Sequence, residues 1–80
     1  MEVVNGETIA SFDKSAKEEV RASIDLIRGK PYINIRVFYS DAGEWKPGKQ
    51  GIVISADRYR ELAEMIVSVG EHLRADGTLP

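Results

Sequence analysis

The sequence predicts an α+β domain in which four β-strands precede one C-terminal helix. Three observations carry this: period-2 alternation in the first half, a β-branched and aromatic run at residues 32–39, and apolar residues spaced three and four apart in the last third. Eighty residues, 42% hydrophobic and 30% charged, support one domain with a core at about residues 7–74 and a frayed tail at 75–80. A chain this short buries only roughly 60% of the surface its unfolded form exposes, so self-association is expected to add burial.

After the turn pair Asn5-Gly6, residues 7–12 alternate, with Thr8, Ala10 and Phe12 on one side, and form the first strand. Residues 13–19 are polar and rich in Ser, Lys and Glu, which suits a loop or a single helical turn. The second strand has Val20, Ala22, Ile24 and Leu26 on one face and Arg21, Ser23 and Asp25 between them. Gly29-Lys30-Pro31 breaks it, and Tyr32-Ile33-Asn34-Ile35-Arg36-Val37-Phe38-Tyr39 follows as its hairpin partner. Asp41-Ala42-Gly43-Glu44 reads as a turn, and residues 45–51 as a loop whose glycines and proline preclude a regular ladder. Ile52-Val53-Ile54 is a short fourth strand.

Ser55 is placed to cap the helix and Asp57 to meet the positive end of its dipole. Tyr59, Leu62, Ile66, Val69 and Leu73 then share one stripe, with Ala63 and Gly70 beside them and Arg58, Glu61, Glu64 and Glu71 opposite. Asp76-Gly77 ends the helix.

Apolar runs such as Ile52-Val53-Ile54 fall far short of the ~20 residues of a membrane span. The start Met1-Glu2-Val3-Val4-Asn5-Gly6 lacks the basic and apolar regions of a signal peptide, and cysteine is absent, so a cytosolic place is expected. The formal net charge of −2 conceals a dipolar distribution. Residues 28–50 hold five bases (Arg28, Lys30, Arg36, Lys46, Lys49) against Asp41 and Glu44, a net of +3; the rest holds six bases against eleven acids, −5. Screening confines each charge to about 10 Å, so this middle segment is a candidate anion-binding surface.

No catalytic residue is expected. The one histidine, His72, sits beside Glu71 near the helix end, and Glu18-Glu19 and Glu61/Glu64 read as solvated faces. Phosphate-loop and metal-ligand spacings are lacking, so neither a cofactor nor a metal is expected. Between residues 28 and 49, by contrast, cations alternate with Tyr39, Trp45 and other rings. Single-stranded nucleic acid is held by this mixture, because cations follow phosphates while rings stack on unpaired bases. The competing reading is that Tyr32, Phe38 and Tyr39 are core and the cations solubilise a sheet.

Parity sets a constraint on that site. Arg36 and Tyr39 are three apart, so a regular strand points them to opposite faces, and a bulge is needed to bring both to one ligand. In a regular strand Ile33, Ile35, Val37 and Tyr39 form the core face, and Arg36 with Phe38 becomes the better contact pair.

Ser23-Ile24, Arg28-Gly29-Lys30, Ile33-Asn34-Ile35-Arg36 and Gly43-Glu44-Trp45-Lys46-Pro47-Gly48-Lys49-Gln50-Gly51-Ile52 resemble the positive cofactor four family of transcriptional coactivators. That family's pattern includes I-D-I-R, an aromatic pair, G-E-x-K-P-G-R-K-G-I and then a helix, and the similarity covers roughly residues 20–70. The resemblance implies a curved four-stranded antiparallel sheet followed by one α-helix, in a homodimer whose helices meet and whose sheets line channels for single strands. It implies phosphate contacts at Arg28, Lys30, Arg36, Lys46 and Lys49, base stacking at Tyr39, and a dimer seam that the stripe Tyr59, Leu62, Ile66, Val69 and Leu73 fits; Trp45, where the family often has another apolar residue, is expected to add stacking. Ile27 replaces a usual ring, Asp25 a common base and Gln50 a usual cation, changes that remove stacking area or charge.

The expected function is therefore largely sequence-independent single-stranded DNA binding of a coactivator-like kind, with RNA open as a competitor and transcription machinery as a further partner. A bacterial source would place it at the nucleoid. The alternative is a protein-interaction module of the transcription machinery that does not bind nucleic acid.

Overall fold

The computed structural model describes Val3, Val4 and residues 6–80; Asn5, half of the expected opening turn, lies outside the described residues. Five strands, β1 (Val3–Val4), β2 (Thr8–Ser15), β3 (Glu18–Ile27), β4 (Lys30–Asp41) and β5 (Glu44–Ser55), form one antiparallel sheet. A 3₁₀ turn (Ala56–Arg58) leads into α1 (Tyr59–Ala75). Strands β3, β4 and β5 are consecutive neighbours. On the other edge, β2 pairs with the first part of β3 and β1 with its end. The expected four strands correspond to β2 to β5, and β1 prolongs the edge.

Two hairpins fix the register. Arg28 and Gly29 (φ 55° and 78°) join β3 to β4, and Ala42 and Gly43 (φ 53° and 82°) join β4 to β5. Left-handed residues at both central positions match the right-handed twist of the flanking strands. The first turn therefore falls one residue earlier than the Gly29-Lys30-Pro31 break, since Lys30 and Pro31 already pair with Ile27 and Leu26.

Two expected loops are strands. Residues 13–19 continue the β2–β3 hairpin, interrupted only at Ala16-Lys17, because the ladder supplies backbone partners while Lys14 and Ser15 bond Glu18 from the edge. Residues 45–51 belong to β5, although the ladder there is irregular. Arg36 opposes Gly51 and Phe38 opposes Pro47, so Gly48, Lys49 and Gln50 bulge opposite Val37 alone. Glycine makes the bulge possible: a Cβ at Gly48 would lie 2.8 Å from the Val37 carbonyl, and one at Gly51 2.6 Å from the Ile35 carbonyl. Pro47 is tolerated because β5 is an edge strand, where a missing N–H breaks no second ladder.

Strand β4 pairs with β3 without interruption, so its alternation is strict. Val20, Ala22 and Ile24 stand opposite Val37, Ile35 and Ile33, which makes one face apolar. Arg21, Ser23 and Asp25 share the other face with Asn34, Arg36 and Phe38. The helix starts at Tyr59, later than the Ser55 cap predicts, because the 3₁₀ turn intervenes and the Ser55 side chain makes no capping bond. At its end the Gly77 and Leu79 amides donate to the Arg74 and Leu73 carbonyls.

Among the described residues no hydrophobic side chain is fully buried. Tyr59 is 66% exposed and Ile66 59%, so the helical stripe is largely uncovered in the single chain. No described helix is long and apolar enough to cross a membrane.

Candidate nucleic-acid interface

The polar face of β3 and β4 carries a cavity of about 410 Å³. Its floor is built on Asp25, only 5% exposed. The carboxylate accepts from the Gly6 amide (3.0 Å), Ser23 Oγ (2.9 Å) and Asn34 Nδ2 (2.8 Å). Burial would raise this carboxyl, but those bonds and the Arg36 charge outweigh it and hold Asp25 below the usual carboxylate range. Asp25, which the resemblance reads only as a lost cation, is thus an anchor between β4, β3 and the chain entering β2.

The two arginines of this face are held by the sheet itself. Arg36 Nη1 donates to the Gly48 carbonyl at 3.1 Å and the Lys49 carbonyl at 3.5 Å, so its guanidinium spans the β5 bulge. Arg21 donates from Nε to Glu19 Oε1 at 3.0 Å while its guanidinium carbon lies 4.4 Å from the centre of the Phe38 ring and 5.5 Å from that of Trp45. The cation lies over both rings. The register explains it: Phe38 opposes Pro47 and Ser40 opposes Trp45, so both rings point to the Arg36 face.

The sequence-predicted set divides between faces. Arg36 and Trp45 lie on the polar face, and alternation puts Lys30 there too. Tyr39 and its ladder partner Lys46 lie on the other face. The bulge that could reorient Tyr39 is on β5 rather than on its own strand, and Tyr39 lines a separate hollow of about 260 Å³ with Val37, Gly48 and Lys49. Lys46 is paired with Asp41 at 3.0 Å, an exposed bridge that salt screens. Arg28 is exposed at the tip of the β3–β4 turn. Arg21 and Phe38 were not among the predicted contacts; the parity rule signalled Phe38, whereas Arg21 needs the β3–β4 register. Among the described residues no group of three or more His, Cys, Asp or Glu could hold a metal.

An antiparallel meander that ends in a single helix, with one polar and aromatic sheet face, is a fold shared with solved homologues of a transcriptional coactivator. The PC4 homologue BPSL1147 of Burkholderia pseudomallei superposes with a TM-score of 0.76 at 30% identity, covering 81% of this chain and 89% of that one. MoSub1 in complex with DNA superposes with a TM-score of 0.59 at 35% identity, covering 85% and 84%. The RNA polymerase II transcriptional coactivator SUB1 of Saccharomyces cerevisiae is 38% identical over 60 residues, 72% of this chain. The family pattern of transcriptional coactivator p15 (PC4) matches residues 14–65, and the chain belongs to that family, which is one of coactivators rather than of enzymes. It spans between a fifth and a third of the length of the curated relatives it matches.

Proposed function

We propose that this chain binds single-stranded DNA along the polar face of β4, as a homodimer, and acts as a coactivator-like protein. One observation carries the reading: Lys30, Arg36 and Phe38 share a single face of one strand, with Tyr32 and Asn34 between the first two, and Arg21 and Trp45 gather at its Phe38 end. From Lys30 to Phe38 that strip runs about 26 Å at ~3.3 Å per residue. Cations at one end and in the middle serve phosphates, and the rings serve bases. The protein works by binding, and no bond is made or broken. MoSub1, with 34% identity, is likewise found with single-stranded DNA.

Dimerisation is supported by the uncovered helix. Ile66 and its neighbours present an apolar stripe that a second copy can cover, adding burial that the single chain lacks. The test is fluorescence anisotropy of a labelled oligo-dT of roughly 20 nucleotides against its duplex, at low and physiological salt. Preference for the single strand, weakening with salt, is expected; no binding at low salt overturns the reading.

A further inference from the structure

Beneath the cavity on the polar face, Asp25, Ser23 and Asn34 turn only acceptors toward it, beside the Thr8 hydroxyl. Asp25 is ionised and has no donor. The Ser23 hydroxyl spends its one hydrogen on Asp25 Oδ1, which leaves only lone pairs toward a ligand. Asn34 must point its amide nitrogen at Asp25 Oδ2, since the flipped orientation would set two oxygens against each other. Its Oδ1 is thereby fixed as an acceptor, and it is buried with no hydrogen-bond partner among the described residues. Such an orphan is uncommon, because buried polar atoms are nearly always paired.

Two of the walls are apolar, and Arg21 and Arg36 supply charged ones. Phe38 and Pro47 line the cavity, and the guanidinium of Arg21 lies on the Phe38 ring. The cavity's cations are partly occupied, Arg36 Nη1 by the Gly48 and Lys49 carbonyls and Arg21 Nε by Glu19, which leaves the rest of each guanidinium for phosphates at the cavity's rim. A phosphate would meet the Asp25 carboxylate; a flat group with donors on its edge meets complementary walls and floor. The volume of about 410 Å³ is in the range of small-ligand sites.

We propose that this cavity is a nucleobase subsite that favours guanine over thymine, reading donor groups on the base edge through the lone pairs of Asp25 and Ser23, with Asn34 behind them fixing the Asp25 carboxylate. Guanine presents adjacent N1–H and N2–H donors. Thymine presents a single N3–H between two carbonyl oxygens, which the acceptor floor repels. The inference rests on the single-strand reading and adds a local preference to it.

The experiment compares three labelled strands on the full chain: oligo-dT, oligo-dT with one central guanine, and the same strand with an abasic central position. A lone guanine avoids the folded structures of guanine runs. The guanine strand is expected to bind at least about fivefold tighter than oligo-dT, the low end of base discrimination by a paired contact. Asp25→Asn should bring that ratio toward one. Ser23→Ala keeps the carboxylate, should narrow the ratio partly, and serves if Asp25→Asn does not fold. Equal binding of guanine and thymine strands overturns the subsite and leaves single-strand binding standing, as does a preference untouched in both variants. Failure of all three strands to bind overturns both readings.

Discussion

Asn34 Nδ2 donates to Asp25 Oδ2 at 2.8 Å across the β3–β4 ladder, and this bond joins the one buried charge among the described residues to the strand that carries the candidate DNA strip. The same carboxylate takes the Gly6 amide, nineteen residues away in sequence. A single side chain therefore sets where the chain enters the sheet and which way Asn34 faces.

The pH dependence of stability follows from that network. Asp25 has its folded pKa lowered from 3.8, so its contribution is fully present above that value and is lost as pH falls from 3.8 through the lower folded value. Thermal melts across this acid range should fall less steeply for Asp25→Asn than for wild type. At neutral pH Asp25→Ala should destabilise by about 1–3 kcal/mol, because it strands buried donors. Parallel pH profiles for wild type and Asp25→Asn would count against the network.

Arg36 has two roles that separate by substitution. Its charge serves a phosphate, while its fork holds the carbonyls of Gly48 and Lys49. Arg36→Lys should keep the salt dependence of DNA binding but lower the melting temperature. Arg36→Ala should also reduce the slope of log K against log salt by about 0.7, the value for one phosphate on a single strand. An unchanged slope in Arg36→Ala would remove Arg36 from the phosphate contacts.

Stacking should follow the face. Phe38→Ala and Trp45→Ala each remove a ring beside Arg21, and each should weaken single-strand binding by about 1–3 kcal/mol. Tyr39→Ala should have the smaller effect, since Tyr39 lies on the opposite side of β4. Anisotropy titrations of the three variants decide it: a larger loss in Tyr39→Ala would move the DNA path to the other face.

The β5 bulge should be intolerant of side chains. Alanine at Gly51 puts Cβ 2.6 Å from the Ile35 carbonyl and 3.1 Å from Arg36 Cα, both backbone atoms that cannot swing away. Gly51→Ala should destabilise by about 1–3 kcal/mol, as overpacking does, and should weaken DNA binding by displacing Arg36. Calorimetry and anisotropy on the variant check both effects, and a wild-type melt would show that the bulge yields.

What was legible in the sequence depended on whether the signal was local. The alternation of Val20 to Leu26 and of Ile33 to Val37 is local, and it gave the two central strands and their faces. Pro47, Gly48 and Gly51 were misread because the residues that mark a loop are also those that allow a bulge on an edge strand. Residues 13–19 have weak strand propensity and are held by their pairing with β3, which no local pattern reports. Asp25 was invisible as an anchor because its partners, Gly6 and Asn34, lie nineteen and nine residues away.

The helix should decide the oligomeric state. Ile66 is 59% exposed and lies on the stripe with Tyr59, Leu62, Val69 and Leu73, where a carboxylate buried against a second copy would lack a partner. Ile66→Asp should therefore shift the protein from dimer to monomer in sedimentation velocity, with a dissociation constant raised by at least about tenfold, or 1.4 kcal/mol. Because no hydrophobic side chain among the described residues is fully buried within one chain, the released monomer should also melt at lower temperature. Glu71→Gln, on the opposite charged face of α1, should leave the dimer intact, and dissociation by that change would place the seam elsewhere.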